Sequence, residues 1–246
     1  MSPSTPPAHT LPSPIHVLGG ATSDIGRAIA CKLAHSGRCV LALGRDLELL
    51  QALERQYPGR IQARPIDLTD EDALRCLADE LASAGRGVAG LIHCAGVYFV
   101  GRIEAAPLSE LDRMYQANVR APYQLTQLLL PALARSAGRV IFINSTAGLG
   151  ARPGLSGYCA SQHSLRVLAD SLRAEINAQG VLVTSLYLGR TATRRMERIF
   201  RAEQRDYHPE LLLQPDDVAD TVLYVLGLPP RAEVVDLTMR PAIKSY

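Results

Sequence analysis

Short apolar segments alternate with longer helix-like segments along almost the whole chain. Seven segments are strand-like because they are short and aliphatic and show no alternation of polar and apolar residues. They cover 15–19, 39–43, 61–66, 91–95, 140–144, 181–188 and 234–237. Helical periodicity marks the stretches 24–36, 46–56, 69–83, 109–134, 157–178 and 215–226. Strands without alternation are buried on both faces, so the pattern predicts an α/β domain in which helices flank a doubly wound parallel sheet of about seven strands.

The chain is long enough for one domain with a sizeable core, and no linker or internal repeat divides it. It has 246 residues, of which 47% are hydrophobic and 20% charged, as in an ordinary globular protein. Residues 1–14 contain five prolines, which lack amide donors, and this composition predicts a flexible tail. Residues 15–246 are expected to form a single domain.

The charge balance argues against nucleic-acid and membrane partners. The formal net charge is +2, and no apolar run approaches the roughly 20 residues that span a bilayer. The five cysteines include no CxxC pair, which favours reduced thiols in a cytoplasmic protein. Neither a targeting signal nor a metal site is predicted, and the expected partner is a small-molecule substrate.

A glycine-rich turn follows the first apolar segment. It reads Gly-Gly-Ala-Thr-Ser-Asp-Ile-Gly over residues 19–26. Glycine permits a tight turn and lets the backbone approach a pyrophosphate, while the helix that follows directs free amides at the anion. A strand-to-helix turn without a ligand could use the same glycines. The position directly after the first strand favours a nucleotide site.

The residue after the second strand indicates which nucleotide binds. An acidic residue there would hold the ribose 2′-hydroxyl of NAD, whereas this chain has Arg45 after Gly44. A guanidinium suits a 2′-phosphate by its charge and its planar donors, and Ser23 could add a hydroxyl to the same phosphate. The alternative is a solvated arginine at a helix start. We predict NADP(H) as the cofactor.

A serine and a tyrosine that could act on a carbonyl group lie thirteen residues apart. Ser145 ends a strand-like segment, and Tyr158 lies early in the helical stretch that follows. Both can face the crevice at the strand ends, where a tyrosine hydroxyl beside a serine can donate a proton to a carbonyl oxygen. Either residue alone could equally be a core group with satisfied hydrogen bonds.

In combination, these features resemble the short-chain dehydrogenase/reductase family over residues 15–241. Residues 19–26 resemble the family's TGxxxGxG turn, residues 93–96 its NNAG segment, and residues 188–193 its PGxxxT segment. The resemblance implies a single-domain Rossmann fold and hydride transfer from a nicotinamide. It also implies a homodimer or homotetramer that forms through the helical stretches 109–134 and 157–178.

The same resemblance implies roles for individual residues. The catalytic set is Asn118, Ser145, Tyr158 and Gln162. The residues expected to bind the cofactor are Gly20, Thr22, Ser23, Ile25, Gly26, Arg45, Asp67, Leu68, Cys94, Ala95, Gly96, Tyr158, Gln162, Gly189, Thr191 and Thr193. The residues expected at the substrate, on a loop of about 190–214 and on the wall opposite, are Tyr98, Ala147, Leu149, Leu155, Met196 and Phe200.

Several positions depart from the family pattern. Asp24 replaces the middle glycine of the phosphate turn, and a carboxylate that faced a pyrophosphate would repel it. We expect Asp24 to cap the following helix by accepting from the amides of residues 26 or 27. His93 and Cys94 replace two asparagines, and Leu188 replaces a proline, which leaves the next loop less constrained.

The largest departure is Gln162, which stands where the family's YxxxK pattern has lysine. Four residues after Tyr158, it lies on the same helix face and can still bond a ribose hydroxyl. It supplies no charge, so Tyr158 lacks the neighbouring cation that would lower its pKa. A tyrosine that keeps its proton favours ketone reduction over alcohol oxidation.

Three functions follow from this reasoning. The preferred one is an NADPH-dependent reductase of a small carbonyl compound, with Tyr158 as proton donor. The second is a non-redox enzyme on the same scaffold, a cyclase, isomerase or dehydratase, because Gln162 weakens the redox site. The third is a non-catalytic NADP(H)-binding protein. The intact Asn118, Ser145 and Tyr158 favour the two enzymes over the third.

The substrate loop carries an apolar stripe and an arginine stripe at helical spacing. The apolar residues are Met196, Ile199, Phe200 and Tyr207, and the arginines are Arg194, Arg198, Arg201 and Arg205. We expect the apolar stripe to cover the pocket and the arginines to face water. The alternative is that the arginines bind an anionic substrate or a carrier protein.

Overall fold

Seven parallel strands form one sheet in the computed structural model, which describes residues 11–243. The strands are β1 (Ile15–Gly19), β2 (Val40–Gly44), β3 (Ile61–Pro65), β4 (Val88–His93), β5 (Arg139–Ser145), β6 (Leu182–Leu188) and β7 (Asp236–Met239). Their order in the sheet is β3-β2-β1-β4-β5-β6-β7, and every neighbouring pair is parallel. The prediction of a doubly wound α/β fold is confirmed. The strand order reverses between β1 and β4, which is where such sheets bind ligands at their carboxyl ends.

Helices cover both faces of the sheet. They are α1 (Asp24–His35), α2 (Leu47–Gln56), α3 (Glu71–Ser83), α4 (Leu108–Tyr115), α5 (Ala121–Arg135), α6 (Ser156–Ile176), α7 (Arg194–Ala202) and α8 (Pro215–Gly227). One core joins the sheet to α3, α5 and α6 through residues such as Leu74, Leu129 and Leu165. The other joins it to α1, α2 and α8. Because both faces are buried, the strands need no polar alternation, as their sequences indicated.

The ordered chain begins before Ile15. Leu11 is buried in the core, and the amide of Gly87 donates to the hydroxyl of Ser13 over 3.1 Å. The prediction of a flexible tail over residues 1–14 was therefore wrong for residues 11–14, because one leucine in the proline-rich segment has an apolar surface to cover. The rest of that predicted tail, residues 1–10, lies outside the described residues.

The long helical stretch expected over residues 109–134 is interrupted by a wider turn. A π-helical turn at Gln116–Arg120 separates α4 from α5, and the amide of Ala121 donates to the carbonyl of Gln116, five residues back. Pro122 has no N–H and cannot make the α-helical bond to residue 118, which favours the wider turn. Periodicity alone does not detect one additional residue in a turn.

No helix within residues 11–243 combines the length and the apolar character that a bilayer span requires.

Candidate active site

The turn after β1 packs directly against the segment after β4. The amides of Gly20 and Ala21 both donate to the carbonyl of Leu43, each over 3.0 Å. Gly20 has φ +83°, and a Cβ at this position would lie 2.6 Å from the amide nitrogen of Ala95. The turn therefore requires glycine at residue 20, both for its backbone conformation and for the close approach.

Ser23, rather than Asp24, caps helix α1. The hydroxyl of Ser23 accepts from the amide of Gly26 over 3.0 Å and donates to the carbonyl of Gly20 over 2.8 Å. The prediction that Asp24 caps the helix was wrong, because Asp24 is already the first residue of α1 and Ser23 takes the cap position. The hydroxyl of Ser23 is engaged within the turn, and its contact with a 2′-phosphate stays a prediction.

The carboxylate of Asp24 instead accepts from Arg194 at the start of α7. It accepts from the Arg194 amide over 2.8 Å and from the Nε over 2.9 Å. Arg194 was expected to face water with the other arginines. Its side chain is largely exposed, yet it neutralises the one carboxylate of the phosphate turn. The turn and the start of α7 are thus joined across the mouth of the crevice.

Thr22 and Arg45 lie together at the end of β2. A Cβ on Gly44 would lie 3.1 Å from the hydroxyl of Thr22, and Arg45 follows Gly44 with an exposed side chain. Asp67, at the end of β3, accepts from the amide and hydroxyl of Thr69. These bonds and the charge of Arg45 lower the pKa of Asp67. The hydroxyl of Thr22 thus lies next to Gly44, close to the position from which Arg45 extends.

A cavity of about 320 Å³ opens beside the phosphate turn. Its lining consists of Ala21, Thr22, Asp24, Arg27, Leu49, Leu53 and Arg194.

Strand β4 ends at His93, and Cys94 follows it; both side chains are uncharged near neutral pH. Burial lowers the pKa of His93 to about 3, and its neutral ring bonds the Thr126 hydroxyl over 2.8 Å and stacks on Phe142. Burial raises the pKa of Cys94 to about 11, so its thiol stays protonated near neutral pH. The amide of Cys94 donates to the carbonyl of Gly19, which joins β4 to the phosphate turn.

Asn118 braces the candidate catalytic helix from the π-helical turn. Its Oδ1 accepts from the amide of Val97 over 2.7 Å, and its Nδ2 donates to the carbonyl of Val97 and the hydroxyl of Ser161, each over 3.0 Å. Ser161 in turn donates to the carbonyl of Tyr158 over 2.8 Å. Both N–H groups of the Asn118 amide are used in these bonds. Ser161 was not foreseen, although it lies three residues after Tyr158.

Ser145 and Tyr158 lie together beside the carboxyl ends of the strands. Ser145 ends β5, Tyr158 lies in the first turn of α6, and the ring of Tyr98 meets that of Tyr158 edge to face, with centroids 4.9 Å apart. Burial raises the pKa of Tyr158, while the hydrogen bond with Ser145 and the charge of Arg195 act in the opposite direction. Tyr158 therefore carries its proton at neutral pH, with Ser145 beside it.

Gln162 lies one helical turn after Tyr158. Its side chain is almost wholly buried, with 5% of the residue exposed, and makes no hydrogen bond within residues 11–243. Lys32 pairs with Asp220 on α8 and cannot replace a lysine here, and Lys244 lies outside the described residues. The nearby positive charge comes from Arg195, whose guanidinium donates to the carbonyl of Gly96. Sequence reasoning missed Arg195.

The loop after β6 is held by a hydrogen bond to β7 and by bonds of its own threonine side chains. The amide of Gly189 donates to the carbonyl of Met239 over 2.7 Å, and the hydroxyl of Thr191 donates to the carbonyl of Gly189. Thr193 caps α7 by accepting from the amide of Met196 over 3.1 Å. Gly189, Thr191 and Thr193 thus fix the path of the loop beside the strand ends.

The expected substrate residues divide into two groups. Tyr98, Ala147, Leu149 and Leu155 lie on segments next to Ser145 and Tyr158, and Met196 lies in the first turn of α7. Phe200 is buried to 3% exposure between Tyr207 and the guanidinium groups of Arg190 and Arg205. Phe200 therefore anchors α7 instead of lining the pocket, and Arg205 packs on that ring instead of facing water.

These residues fit a dinucleotide of the NADP(H) type. Gly20 keeps the phosphate turn open, α1 directs its first amides into it, and the Asp24 charge is neutralised by Arg194. At one end, Arg45 and Thr22 can hold a 2′-phosphate. At the other end, the Gln162 amide can bond a ribose hydroxyl close to Tyr158.

The comparison with known proteins agrees with this geometry. A family model described as short chain dehydrogenase matches residues 15–204. The NADPH-dependent 3-dehydrocapnine reductase of Ornithobacterium rhinotracheale is 35% identical over 180 residues, covering 70% of this chain and 64% of that protein. The glycine betaine reductase ATRR of Emericella nidulans is 29% identical over 243 residues, covering 96% of this chain and 19% of that protein. This chain thus spans less than two thirds of either relative.

A solved structure shares the whole fold. It is a metagenomic short-chain oxidoreductase in complex with NADP, with a TM-score of 0.80 and 28% sequence identity. The match covers 94% of this chain and 98% of that one.

Proposed function

The chain belongs to the short-chain dehydrogenase family, and from that premise we propose that it is an NADPH-dependent oxidoreductase that reduces a carbonyl group of a small molecule. The observation that carries the proposal is the pairing of Ser145 with Tyr158 at the carboxyl edge of the sheet. The relative named as an NADPH-dependent reductase and the solved NADP complex support it. When bound, NADPH supplies the hydride.

Tyr158 is the proposed proton donor. Its raised pKa keeps the phenol protonated at neutral pH, and the hydroxyl of Ser145 orients the carbonyl oxygen toward it. Asn118 and Ser161 hold the backbone of Tyr158, so the hydroxyl keeps its place when a substrate enters. The proton passes from the Tyr158 oxygen to the substrate oxygen as the carbonyl becomes an alcohol.

We propose that Gln162 takes the position of the family's lysine and keeps the hydrogen bond to the ribose but not the positive charge. The amide can donate to a ribose hydroxyl and so position the cofactor. It adds no positive charge, and the pKa of Tyr158 stays above its usual range. Because a protonated tyrosine donates and a tyrosinate accepts, this arrangement favours reduction over oxidation.

Arg45 and Thr22 support the choice of NADPH over NADH. The exposed Arg45 side chain makes no hydrogen bond within residues 11–243, so its planar donors are available to a 2′-phosphate. Thr22 adds a hydroxyl next to Gly44. The charge of a 2′-phosphate would meet a guanidinium there.

Gln162 also supports a second candidate function. A site with a proton donor and no lysine can promote a cyclisation, isomerisation or dehydration while the cofactor only completes the structure. In that case product forms and NADPH is not consumed.

One experiment separates these functions. The protein is titrated with NADPH by fluorescence, and a panel of aldehydes and ketones is then assayed for NADPH consumption and for product. The reductase predicts tight NADPH binding and consumption equal to the alcohol formed. Product without NADPH consumption would support the non-redox enzyme, and NADPH binding without any product would contradict both enzymes.

We also propose that a second copy of the chain covers α5 and α6. These helices lie on the same face of the sheet, and each carries a large apolar residue in solvent, Tyr123 at 57% exposure and Val167 at 64%. Burial of such residues stabilises association. Light scattering of the purified protein distinguishes a homodimer or homotetramer from a monomer.

A further inference from the structure

Two arginines outside the predicted stripe lie near the candidate active site on two different loops. Arg152 precedes α6, and its Nη2 donates to the hydroxyl of Thr146, the residue after Ser145, over 3.4 Å. Arg190 lies two residues beyond Leu188, and Leu188 is the partner of Ser145 in the register of β5 and β6. Both side chains therefore start from positions next to the residue that orients the carbonyl oxygen.

The guanidinium of Arg190 is only partly neutralised. It lies 4.8 Å from the centre of the Phe200 ring, where Arg205 also packs at 4.9 Å. Both guanidinium groups share the carboxylate of Glu203, at 3.4 Å and 3.1 Å. The side chain of Arg190 is 26% exposed, and its Nη1 is buried without a hydrogen-bond partner among residues 11–243. One carboxylate for two guanidinium groups leaves a net positive charge.

The charges of Arg152 and Arg190 affect the pKa of Tyr98, whose ring contacts that of Tyr158. Burial lowers the pKa of Arg190. The charges of Arg205 and Arg152 lower it further, and the charge of Glu203 raises it. Burial also raises the pKa of Tyr98, while Arg190 and Arg152 oppose that shift. The surroundings thus disfavour the charge on Arg190, and an anion placed between the two arginines would relieve it.

We propose that Arg152 and Arg190 form an anion subsite that binds an acidic group of the substrate close to its reacting carbonyl. The substrate class is a small aldehyde or ketone that carries a carboxylate or sulfonate. Guanidinium groups suit these anions because their planar donors bind two oxygens at once. This inference rests on the proposed reductase function for the identity of the reacting group.

A general basic surface does not account for this arrangement. Arg198 on α7 is exposed and makes no hydrogen bond or ion pair within residues 11–243, and Arg201 pairs with Glu197 on its own helix. Arg152 and Arg190 instead belong to different loops and lie beside Ser145 and Tyr98. Arg198 is therefore a matched control for them.

The test measures binding and turnover separately. The protein saturated with NADP⁺ is titrated by calorimetry with hydroxyacids of two to five carbons, with the sulfonates of equal length and with the matching neutral hydroxyamides. Turnover is measured with NADPH and 4-oxobutanoate against its methyl ester. The variants are Arg152→Gln, Arg190→Gln, Glu203→Gln and the control Arg198→Gln.

The anion subsite predicts that at least one acid binds ten times or more as tightly as its amide. Arg152→Gln and Arg190→Gln should each weaken binding of that acid by about tenfold to hundredfold, the range of a charge-assisted hydrogen bond. Arg198→Gln should change nothing. Glu203→Gln should strengthen binding, because Glu203 competes for Arg190, and it keeps the test informative if Arg190→Gln fails to fold. Comparison of the two acid series shows whether carboxylate or sulfonate fits better.

The outcomes separate the subsite from the reductase function. Equal affinity for acids and amides, with NADPH consumed on neutral carbonyl compounds, would overturn the subsite and leave the reductase intact. Acid binding that depends on Arg152 and Arg190, with no NADPH consumed on any carbonyl compound, would support the subsite and contradict the reductase. Failure of both readouts would overturn both.

Discussion

The carboxylate of Asp24 and the guanidinium of Arg194 form an ion pair with 2.9 Å between Oδ1 and Nε, although the residues lie 170 positions apart in the chain. The pair connects the first residue of α1 with the first residue of α7. A carboxylate in the phosphate turn is tolerable because a cation from the substrate loop covers it. We therefore expect cofactor binding and the position of the loop after β6 to depend on each other.

We predict that Arg194→Ala weakens NADPH binding by about threefold to tenfold, because the exposed carboxylate of Asp24 then repels the pyrophosphate. The double variant that adds Asp24→Asn to Arg194→Ala should recover most of the NADPH affinity, since it removes the repelling charge. Fluorescence titration measures each dissociation constant, with Arg198→Ala as the matched control. Equal affinities for Arg194→Ala and Arg198→Ala would contradict this role.

Arg45→Ala should weaken NADPH binding about tenfold and leave NADH binding unchanged. A tenfold change corresponds to about 1.4 kcal/mol, which one charge-assisted contact can supply. Both dissociation constants are measured for the parent protein and for Arg45→Ala. The control is Arg55→Ala, which removes an exposed arginine of α2. The assignment fails if the parent protein binds the two cofactors equally well.

Tyr158→Phe should lower carbonyl reduction by roughly a hundredfold to ten-thousandfold, the usual contribution of a general acid. The ring and its contact with Tyr98 remain, so the free energy of unfolding should fall by only about 1 kcal/mol. NADPH affinity should change little. Tyr224→Phe, at an exposed tyrosine of α8, is the control and should keep full activity. Full activity of Tyr158→Phe would show that another group donates the proton.

Gln162→Lys should raise alcohol oxidation with NADP⁺ by about tenfold or more and raise reduction by less. A unit charge near 4 Å contributes about 4 kcal/mol at an effective dielectric constant of about 20, enough to lower the pKa of Tyr158 substantially. The acidic limb of the pH profile for oxidation should move to lower pH. Gln162→Met controls for side-chain length without charge. An unchanged profile, with cofactor still bound, would favour the non-redox function.

Two buried histidines should make the fold sensitive to acid. Burial lowers the pKa of His93 to about 3, and burial with the charge of Arg38 lowers that of His16 to about 4. The pKa of histidine in the unfolded chain is about 6.5. Below this pH, the unfolded chain binds protons that the buried histidines of the folded chain do not bind, so the free energy of unfolding falls as pH falls. At pH 5 the loss is roughly 2 kcal/mol for each histidine.

His93→Gln removes one of these two titrating groups. The drop in unfolding free energy between pH 7.5 and pH 5, measured by urea denaturation, should therefore be roughly 2 kcal/mol smaller than in the parent protein. The same drop in both proteins would mean that folding does not lower the pKa of His93.

The sequence predicted the fold because both faces of the central strands are buried, whereas the edge strands β3 and β7 are partly exposed. A run such as Val40–Gly44 shows no polar alternation, and only a sheet between two helix layers accommodates many such runs. The bounds were less accurate: β4 is Val88–His93 rather than 91–95, and β7 is Asp236–Met239 rather than 234–237. Local composition does not register where the hydrogen bonds of a strand stop.

The candidate site was predictable only where its residues belong to local motifs. Ser145, Tyr158 and the glycines of the phosphate turn carry a spacing that can be recognised. The contacts of Arg194 with Asp24 and of Arg195 with Gly96 join segments far apart in the chain, and long-range contacts leave no periodic signal. The contact of Arg190 with Phe200 depends in the same way on how the loop after β6 folds. Their one sequence signal is a position just after a strand, at the edge where parallel sheets bind ligands.

The π-helical turn at Gln116–Arg120 makes this protein sensitive to the deletion of a residue as well as to substitutions. A π turn holds about one residue more than an α-helical turn. Loss of a single codon there would return the helix to regular geometry and rotate α4 by about 100° relative to α5. Asn118 would then leave Val97 and Ser161, and the backbone of Tyr158 would lose its brace. We therefore expect deletion of one residue at this turn to be far more damaging than most single substitutions around it.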